Sequence, residues 1–145
     1  MLSSYFSQLN SYQATGTPVL GSILLVESQP APRESLAHLL ATLNVPIQKA
    51  VGYSDVCSLS GSTSFSLVAV SLVPSQDEAA KIAAYVRRQW SSAKILLLGR
   101  LQGDFDDPLY DDIVDPSFNP WAFLDTSKRL LLAFRANPSS QRTSY

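Results

Sequence analysis

Short runs in which every residue is apolar recur along the chain, separated by stretches with a different spacing. Ile23–Val26 is the clearest run, and continuous apolarity is typical of a strand buried on both faces of a parallel sheet. Similar runs follow, with polar or turn-forming residues between them. The pattern therefore predicts five strands, within residues 23–26, 45–51, 65–70, 95–98 and 113–114.

Helical spacing fills the stretches between these strands. Pro30 and Pro32 open one helix, because proline is tolerated in a first helical turn, and its leucines then fall on one face. Ser75, with Glu78 three positions later, has the form of a capping box before a second long helix. The predicted helices are therefore one opened by Pro30, a brief one over 54–59, one behind Ser75, and one that Asn119 caps and that runs to about Phe134.

The aromatic residues around the last helix raise two expectations. Phe118, before the Asn119 cap, and Phe123 are spaced as a hydrophobic staple, which would bury both rings. Trp90 and Trp121 are expected to cover sheet edges or helix ends. An exposed tryptophan would instead indicate an interface with another protein.

Strands that alternate with amphipathic helices predict an α/β domain with a doubly wound, five-stranded parallel sheet. Ligand sites in such sheets lie at the carboxyl ends of the strands. The 145 residues are enough for one domain, which we expect over 23–136. Residues 1–22 are expected to form a polar leader, and 137–145 a flexible tail.

Composition excludes several classes of function. Eleven Lys and Arg against 12 Asp and Glu leave a formal charge of −1, so neither direct nucleic-acid binding nor attachment to an anionic membrane is expected. One cysteine and one histidine rule out an internal disulfide and a Cys/His zinc site. Neither a signal peptide nor an apolar run of about 20 residues is visible, which predicts a cytoplasmic protein. No cofactor and no metal are expected.

The segment 23–36 resembles the opening of response-regulator receiver domains. That family begins with an apolar strand, an acidic pair, a turn and a helix often reading Arg-x-x-Leu, here Arg33 to Leu36. The later strands and the exit Phe118-Asn119-Pro120 are similar to the family's third, fourth and fifth strands. The resemblance covers about residues 23–136, and it implies a flavodoxin-like sheet of order 2-1-3-4-5.

The family's functional positions are changed in this sequence. Receivers are phosphorylated on an aspartate that ends strand three, and they hold Mg²⁺ with the acidic pair. A Ser or Thr after strand four and a Lys after strand five contact the phosphoryl group. The matching positions form a degenerate phosphorylation pocket with Glu27, Ser28, Ser71, Gly99 and Pro116, or Asp115 in place of Pro116 if the alignment slips by one residue.

These changes remove the chemistry that the family uses. Mg²⁺ prefers several oxygen ligands, and Glu27 supplies one carboxylate. The Ser71 hydroxyl would need a nearby base to act as a nucleophile, and His38 is expected in the first helix, exposed and out of reach. No lysine occurs between Lys94 and Lys128. The resemblance therefore implies a receiver that has no catalytic residues and is not switched by aspartyl phosphorylation.

The segment 99–112 predicts a further departure. It contains Gly103, Pro108 and several aspartates but no apolar helical face, so the helix that receivers carry there is expected to be shortened or absent. Six aspartates between 104 and 115 are expected to form a solvated acidic loop, because their spacing does not match an EF-hand.

The leading functional hypothesis is a phosphorylation-independent regulatory module of bacterial signal transduction or transcription control, acting through a protein partner or a homodimer. The alternative is a small flavodoxin-like ligand-binding protein or enzyme. That alternative would favour a phosphate-binding loop after strand one, where the chain has Pro30 and Pro32 but no glycine. Phosphorylation of Ser71 is a third, weaker hypothesis, because no activating base is in view.

Overall fold

The computed structural model describes residues 21–59, 64–103 and 109–143, and their side chains as far as Ala133. The strands in these residues are β1 (Ile23–Val26), β2 (Ile47–Ala50), β3 (Leu67–Ser71), β4 (Lys94–Leu98) and β5 (Asp112–Val114). The helices are α1 (Pro30–Ala41), α2 (Tyr53–Cys57), α3 (Gln76–Gln89) and α4 (Pro120–Thr143).

All five strands are parallel and lie in the order β2-β1-β3-β4-β5, so the predicted fold class and strand order are confirmed. Val26, the last residue of β1, pairs with Ala50 of β2 and Val70 of β3. Ser71 pairs with Leu98 of β4. The carboxyl ends of neighbouring strands therefore meet along one edge of the sheet.

The central strands are apolar except at Lys94, the first residue of β4, and Ser71, the last residue of β3, because helices cover both faces of the sheet. Successive side chains of a strand point to opposite faces, so each strand contributes to two cores. Ile23 and Leu25 belong to the core that α1 and α4 cover, with Phe123 fully buried in it. Leu24 and Val26 belong to the other core, beneath α2 and α3.

Only one of the two hydrogen bonds of the predicted capping box forms at the start of α3. The Ser75 hydroxyl accepts a hydrogen bond from the Glu78 backbone N–H at 3.1 Å. The Glu78 carboxylate, however, accepts the N–H of Tyr53 at 2.8 Å instead of the N–H of its own cap residue. Glu78 thus connects the start of α2 to the start of α3.

Two expectations about the last helix are wrong. Phe118 is 78% exposed, so it forms no staple with Phe123. Its backbone N–H donates to the Asp115 carbonyl in a tight turn, and the ring lies 6.0 Å from the Arg100 guanidinium carbon. The helix also continues past Phe134 to Thr143, because the residues after Phe134 begin with the good helix formers Arg and Ala. The domain boundary at 136 and the flexible tail after it stay predictions.

The crossover from β4 to β5 has the predicted shortened form, since none of the described residues 99–103 and 109–111 is α-helical. The Asp111 carboxylate accepts the backbone N–H of Ile95 at 2.8 Å and pairs with Arg87 at 3.0 Å. Arg87 also donates to the Ala93 carbonyl at 3.1 Å. Asp111 therefore joins α3 to the beginning of β4.

The three aspartates of the predicted acidic loop that the structure describes are partly exposed to solvent, and each also forms an ion pair. Asp111 pairs with Arg87, Asp112 with Arg129 on α4, and Asp115 with Arg100. Arg87 lies on α3 and Arg129 on α4, whereas Arg100 belongs to the loop itself. The other three, Asp104, Asp106 and Asp107, lie outside the described residues.

We expect Asp111→Ala to lower the free energy of unfolding by about 1–3 kcal/mol, because the N–H of buried Ile95 loses its acceptor. Asp111→Asn keeps an acceptor oxygen and should lose distinctly less. Urea unfolding of the two variants and the unchanged protein measures the difference. Equal losses in both variants would show that the hydrogen bond to Ile95 contributes little.

Candidate functional site

Four of the five candidate residues line one cleft at the carboxyl edge of the sheet. Glu27 follows β1, Ser71 ends β3, Gly99 follows β4 and Pro116 lies just beyond β5. The cleft has a volume of about 440 Å³. Ser28, the fifth residue, lines a separate small cavity of about 20 Å³ beside α3, and Ser71 lies between the two spaces.

Glu27 is a buried carboxylate, only 6% exposed, with few partners. It accepts the backbone N–H of Gln29 at 3.0 Å. Arg33 is near, but its guanidinium donates to the backbone carbonyls of Glu27 and Ser28, at 2.9 and 3.3 Å. Among the described side chains no cation forms an ion pair with Glu27. The Ser28 hydroxyl is buried and has no hydrogen-bond partner.

The Ser71 hydroxyl is engaged by its own loop. It donates to the Val73 carbonyl and accepts the Val73 N–H, both at 3.2 Å. His38, the one histidine of the chain, is exposed on α1, as expected. No described base is hydrogen-bonded to Ser71, so the arrangement gives this hydroxyl no means of activation.

Gly99 has a backbone conformation that excludes most other residues. Its φ is 127°, and its N–H donates to the Val114 carbonyl at 2.9 Å, which joins it to β5. A Cβ atom there would lie 3.5 Å from the Leu72 side chain, an ordinary contact. The backbone angle, and not lack of space, therefore favours glycine over a hydroxyl-bearing residue at this position.

Asp115, which the sequence offered only as an alternative to Pro116, also lines the cleft. Its carboxylate accepts hydrogen bonds from the Ser117 hydroxyl at 2.6 Å and the Ser117 N–H at 3.1 Å, and it pairs with Arg100 at 3.3 Å. The Ser117 hydroxyl, followed by the Ser117 N–H and Arg100, holds the pKa of Asp115 below its ordinary value against a smaller opposing effect of burial. The Asp-x-Ser spacing is a turn signal that could have identified this bond.

The rest of the cleft wall is largely apolar, which sequence reasoning did not foresee. Leu36 and Leu39 come from α1, Leu98 from β4, and Pro32 and Pro120 from the first turns of α1 and α4. No lysine or arginine is among the lining residues. In the described part of the chain, no group of three or more His, Cys, Asp or Glu side chains is arranged to hold a metal ion.

Comparison with solved structures gives neighbours that are response regulators or their receiver domains. No protein-family model and no curated protein matches the chain. A response regulator, TrrA, from Thermotoga maritima, solved with Mg²⁺ and beryllofluoride, is 25% identical with a TM-score of 0.66, over 76% of this chain and 98% of that one. A signal receiver domain of a Pseudomonas fluorescens HD-domain protein is 22% identical with a TM-score of 0.66, over 80% and 98%.

A third neighbour, the chemotaxis protein CheY4 of Vibrio cholerae, is 16% identical with a TM-score of 0.65, over 76% of this chain and 98% of that one. The chain therefore has the fold of a response-regulator receiver domain. None of the helices in the described residues is long and apolar enough to cross a membrane.

The pKa of Asp115 provides a test of the site geometry. Because the Ser117 hydroxyl is the main cause of the lowered pKa, we expect Ser117→Ala to raise it towards the ordinary value. Arg100→Gln should raise it less. Since the folded-state pKa is lowered, the associated stability is present above the unfolded-state pKa and is lost as pH falls through the folded-state pKa. Carboxyl ¹³C NMR titration measures the shifts, and a larger shift in Arg100→Gln would contradict this order of causes.

Proposed function

We propose that this chain is a receiver domain of bacterial signal transduction or transcription control that regulates by protein–protein contact, without catalysis and without aspartyl phosphorylation. The fold and its receiver neighbours support the first part. The chemistry of the cleft supports the second, and the observation that carries it is Ser71 at the end of β3, where an acyl phosphate would need a carboxylate.

The surroundings of Ser71 agree with this proposal. A phosphoryl group needs cationic or N–H donors around it, as at helix N-termini. Pro30 and Pro120 remove N–H groups from the helix starts near the cleft, and the Ala122 N–H at the start of α4 donates to Asn119. With Glu27 as a carboxylate in the wall, the cleft is unfavourable for an anion.

A flavodoxin-like enzyme or flavin-binding protein is not favoured. Its phosphate-binding loop would follow β1, where the chain has Gln29, Pro30 and Pro32 and no glycine. The α1 helix begins after Gln29 without a side-chain cap. The structural neighbours named above are receivers.

The outward face of α4 is the surface that we propose for protein contact. Trp121 is 74% exposed and Leu132 is 49% exposed, although large apolar side chains are usually buried. Asp125 and Lys128 lie between them, at spacings of four and seven residues from Trp121, and both are exposed. These spacings place all four residues on one helical face.

The order of these four residues is self-complementary, which favours a second copy of the chain as the partner. Trp121 and Leu132 lie equally far from the midpoint between Asp125 and Lys128. If two α4 helices pack antiparallel about a two-fold axis through that midpoint, Trp121 faces the partner's Leu132, and Asp125 faces the partner's Lys128. Such an isologous interface uses each contact twice.

We expect the chain to self-associate, and Trp121→Ala to weaken the dimer at least tenfold, because a tryptophan buried at an interface commonly contributes about 2 kcal/mol or more. Asp125→Lys should also weaken it at least tenfold, since like charges across an interface cost several kcal/mol. The double variant Asp125→Lys with Lys128→Asp should recover association. Sedimentation equilibrium measures all three, with His38→Ala as the control on a different helix.

The same experiment addresses phosphorylation. Acetyl phosphate with Mg²⁺ should leave the dissociation constant unchanged, because the cleft has no carboxylate at Ser71 to accept the phosphoryl group. A protein that is monomeric at all concentrations would contradict the second-copy assignment. A dimer that tightens only with acetyl phosphate would contradict regulation without phosphorylation.

A further inference from the structure

The cleft combines a buried charge with apolar walls, and the regulatory function above makes no use of this combination. Its volume of about 440 Å³ falls within the range of about 300–1,000 Å³ for small-molecule sites, which are mostly apolar with a few placed polar groups. Leu36, Leu39 and Leu98 give the apolar surface, and Glu27 gives the charged group.

The Glu27 carboxylate determines which ligands fit. It is 94% buried, as its 6% exposure implies, and the one hydrogen bond to its side chain comes from the neutral Gln29 N–H. Burying a carboxylate without a cation is costly, so a cation that enters the cleft would gain from pairing with it. Arg33 is committed to backbone carbonyls and Arg100 to Asp115, which leaves Glu27 without an internal counter-ion among the described side chains.

The wall of the cleft offers little to an anionic ligand. No lysine or arginine lines the cleft. Pro32, Pro116 and Pro120 in its wall have no backbone N–H, and the Gln29 N–H is already used by Glu27. An anionic ligand would therefore find a like charge and few donors, whereas a neutral ligand would leave Glu27 unpaired.

We propose that the cleft binds a small organic cation, a primary amine on a compact apolar body, with its ammonium group on Glu27 and its body against the leucines of α1 and β4. Such a ligand would occupy the cleft at the carboxyl ends of the strands. It would act as an effector of the regulatory domain, next to the β5–α4 turn that leads into the proposed contact face. A bare divalent cation fits less well, because Glu27 is the only carboxylate of the wall without a partner cation.

Three probes with the same aromatic body test this proposal: phenethylamine, 2-phenylethanol and 3-phenylpropionate. Each is titrated into the ¹⁵N-labelled full chain at low salt, and the amides of Gln29, Ser71 and Gly99 report on the cleft. We expect saturable shifts with phenethylamine, binding of the alcohol weaker by at least tenfold, and no shifts with the carboxylate.

Two variants distinguish the effect of the Glu27 charge from a general effect of substitution on folding. Glu27→Gln keeps an oxygen for the Gln29 N–H but removes the charge, and it should weaken phenethylamine about tenfold to hundredfold, the usual range for a charge-assisted hydrogen bond. Glu34→Gln, on the exposed part of α1 where Glu34 pairs with Lys49, is the matched control and should bind as the unchanged protein does.

The proposal is overturned if phenethylamine gives no saturable shifts at these amides, if the alcohol or the carboxylate binds as well as the amine, or if a folded Glu27→Gln variant keeps full affinity. It is also overturned if Mg²⁺ alone saturates the same amides and displaces the amine. None of these results depends on whether the chain dimerises through α4.

Discussion

Burial of β1, β3 and β4 on both faces is the constraint on which the rest of the molecule depends. Helices cover both sides of the sheet, so the interiors of these strands are apolar, and their polar residues stand at strand ends, Lys94 at the start of β4 and Ser71 at the end of β3. Polar chemistry is then confined to the ends of the strands and to the residues just beyond them. Because the strands are parallel, Glu27, Ser71 and Gly99 come together at one edge although they are far apart in sequence.

The character of that edge follows from which side chains are charged there. Among the described side chains Glu27 has no paired cation, Asp115 pairs with Arg100 and accepts hydrogen bonds from Ser117, and prolines take the places of N–H donors. The same set of residues accounts for both proposals about the cleft. A phosphoryl group would lack an acceptor carboxylate and stabilising donors, whereas an organic cation would find a buried counter-charge.

Most of the fold could be predicted from the sequence, because continuous apolar runs and helical spacing are direct consequences of burial. It also placed Glu27, Ser71, Gly99 and Pro116 at strand ends, where parallel topology brings them together. It could not give the environment of Asp111, whose partners Arg87 and Ile95 lie on other elements. The outward orientation of Phe118 was also missed, because the turn from Asp115 decides it and staple spacing does not.

Sequence patterning predicts the β4–β5 crossover better than it predicts the exposed face of α4. In the crossover, Asp111 pairs with Arg87 and accepts the N–H of Ile95 near the start of β4. On the outward face of α4, Trp121 and Leu132 are exposed. Sequence patterning indicated the shortened crossover from its Gly, Pro and Asp content. The exposure of Trp121 needed the structure, since helix periodicity alone does not say which face is left uncovered.

The central claim is that this receiver fold does not bind a phosphoryl group at the end of β3. The most direct measurement is an amide NMR titration with Mg²⁺ and then beryllofluoride, which mimics an aspartyl phosphate. The account predicts an unchanged spectrum at Gln29, Ser71, Leu72 and Gly99. Saturable shifts clustered at these amides would show that the edge still holds a metal and an anion, and would contradict it.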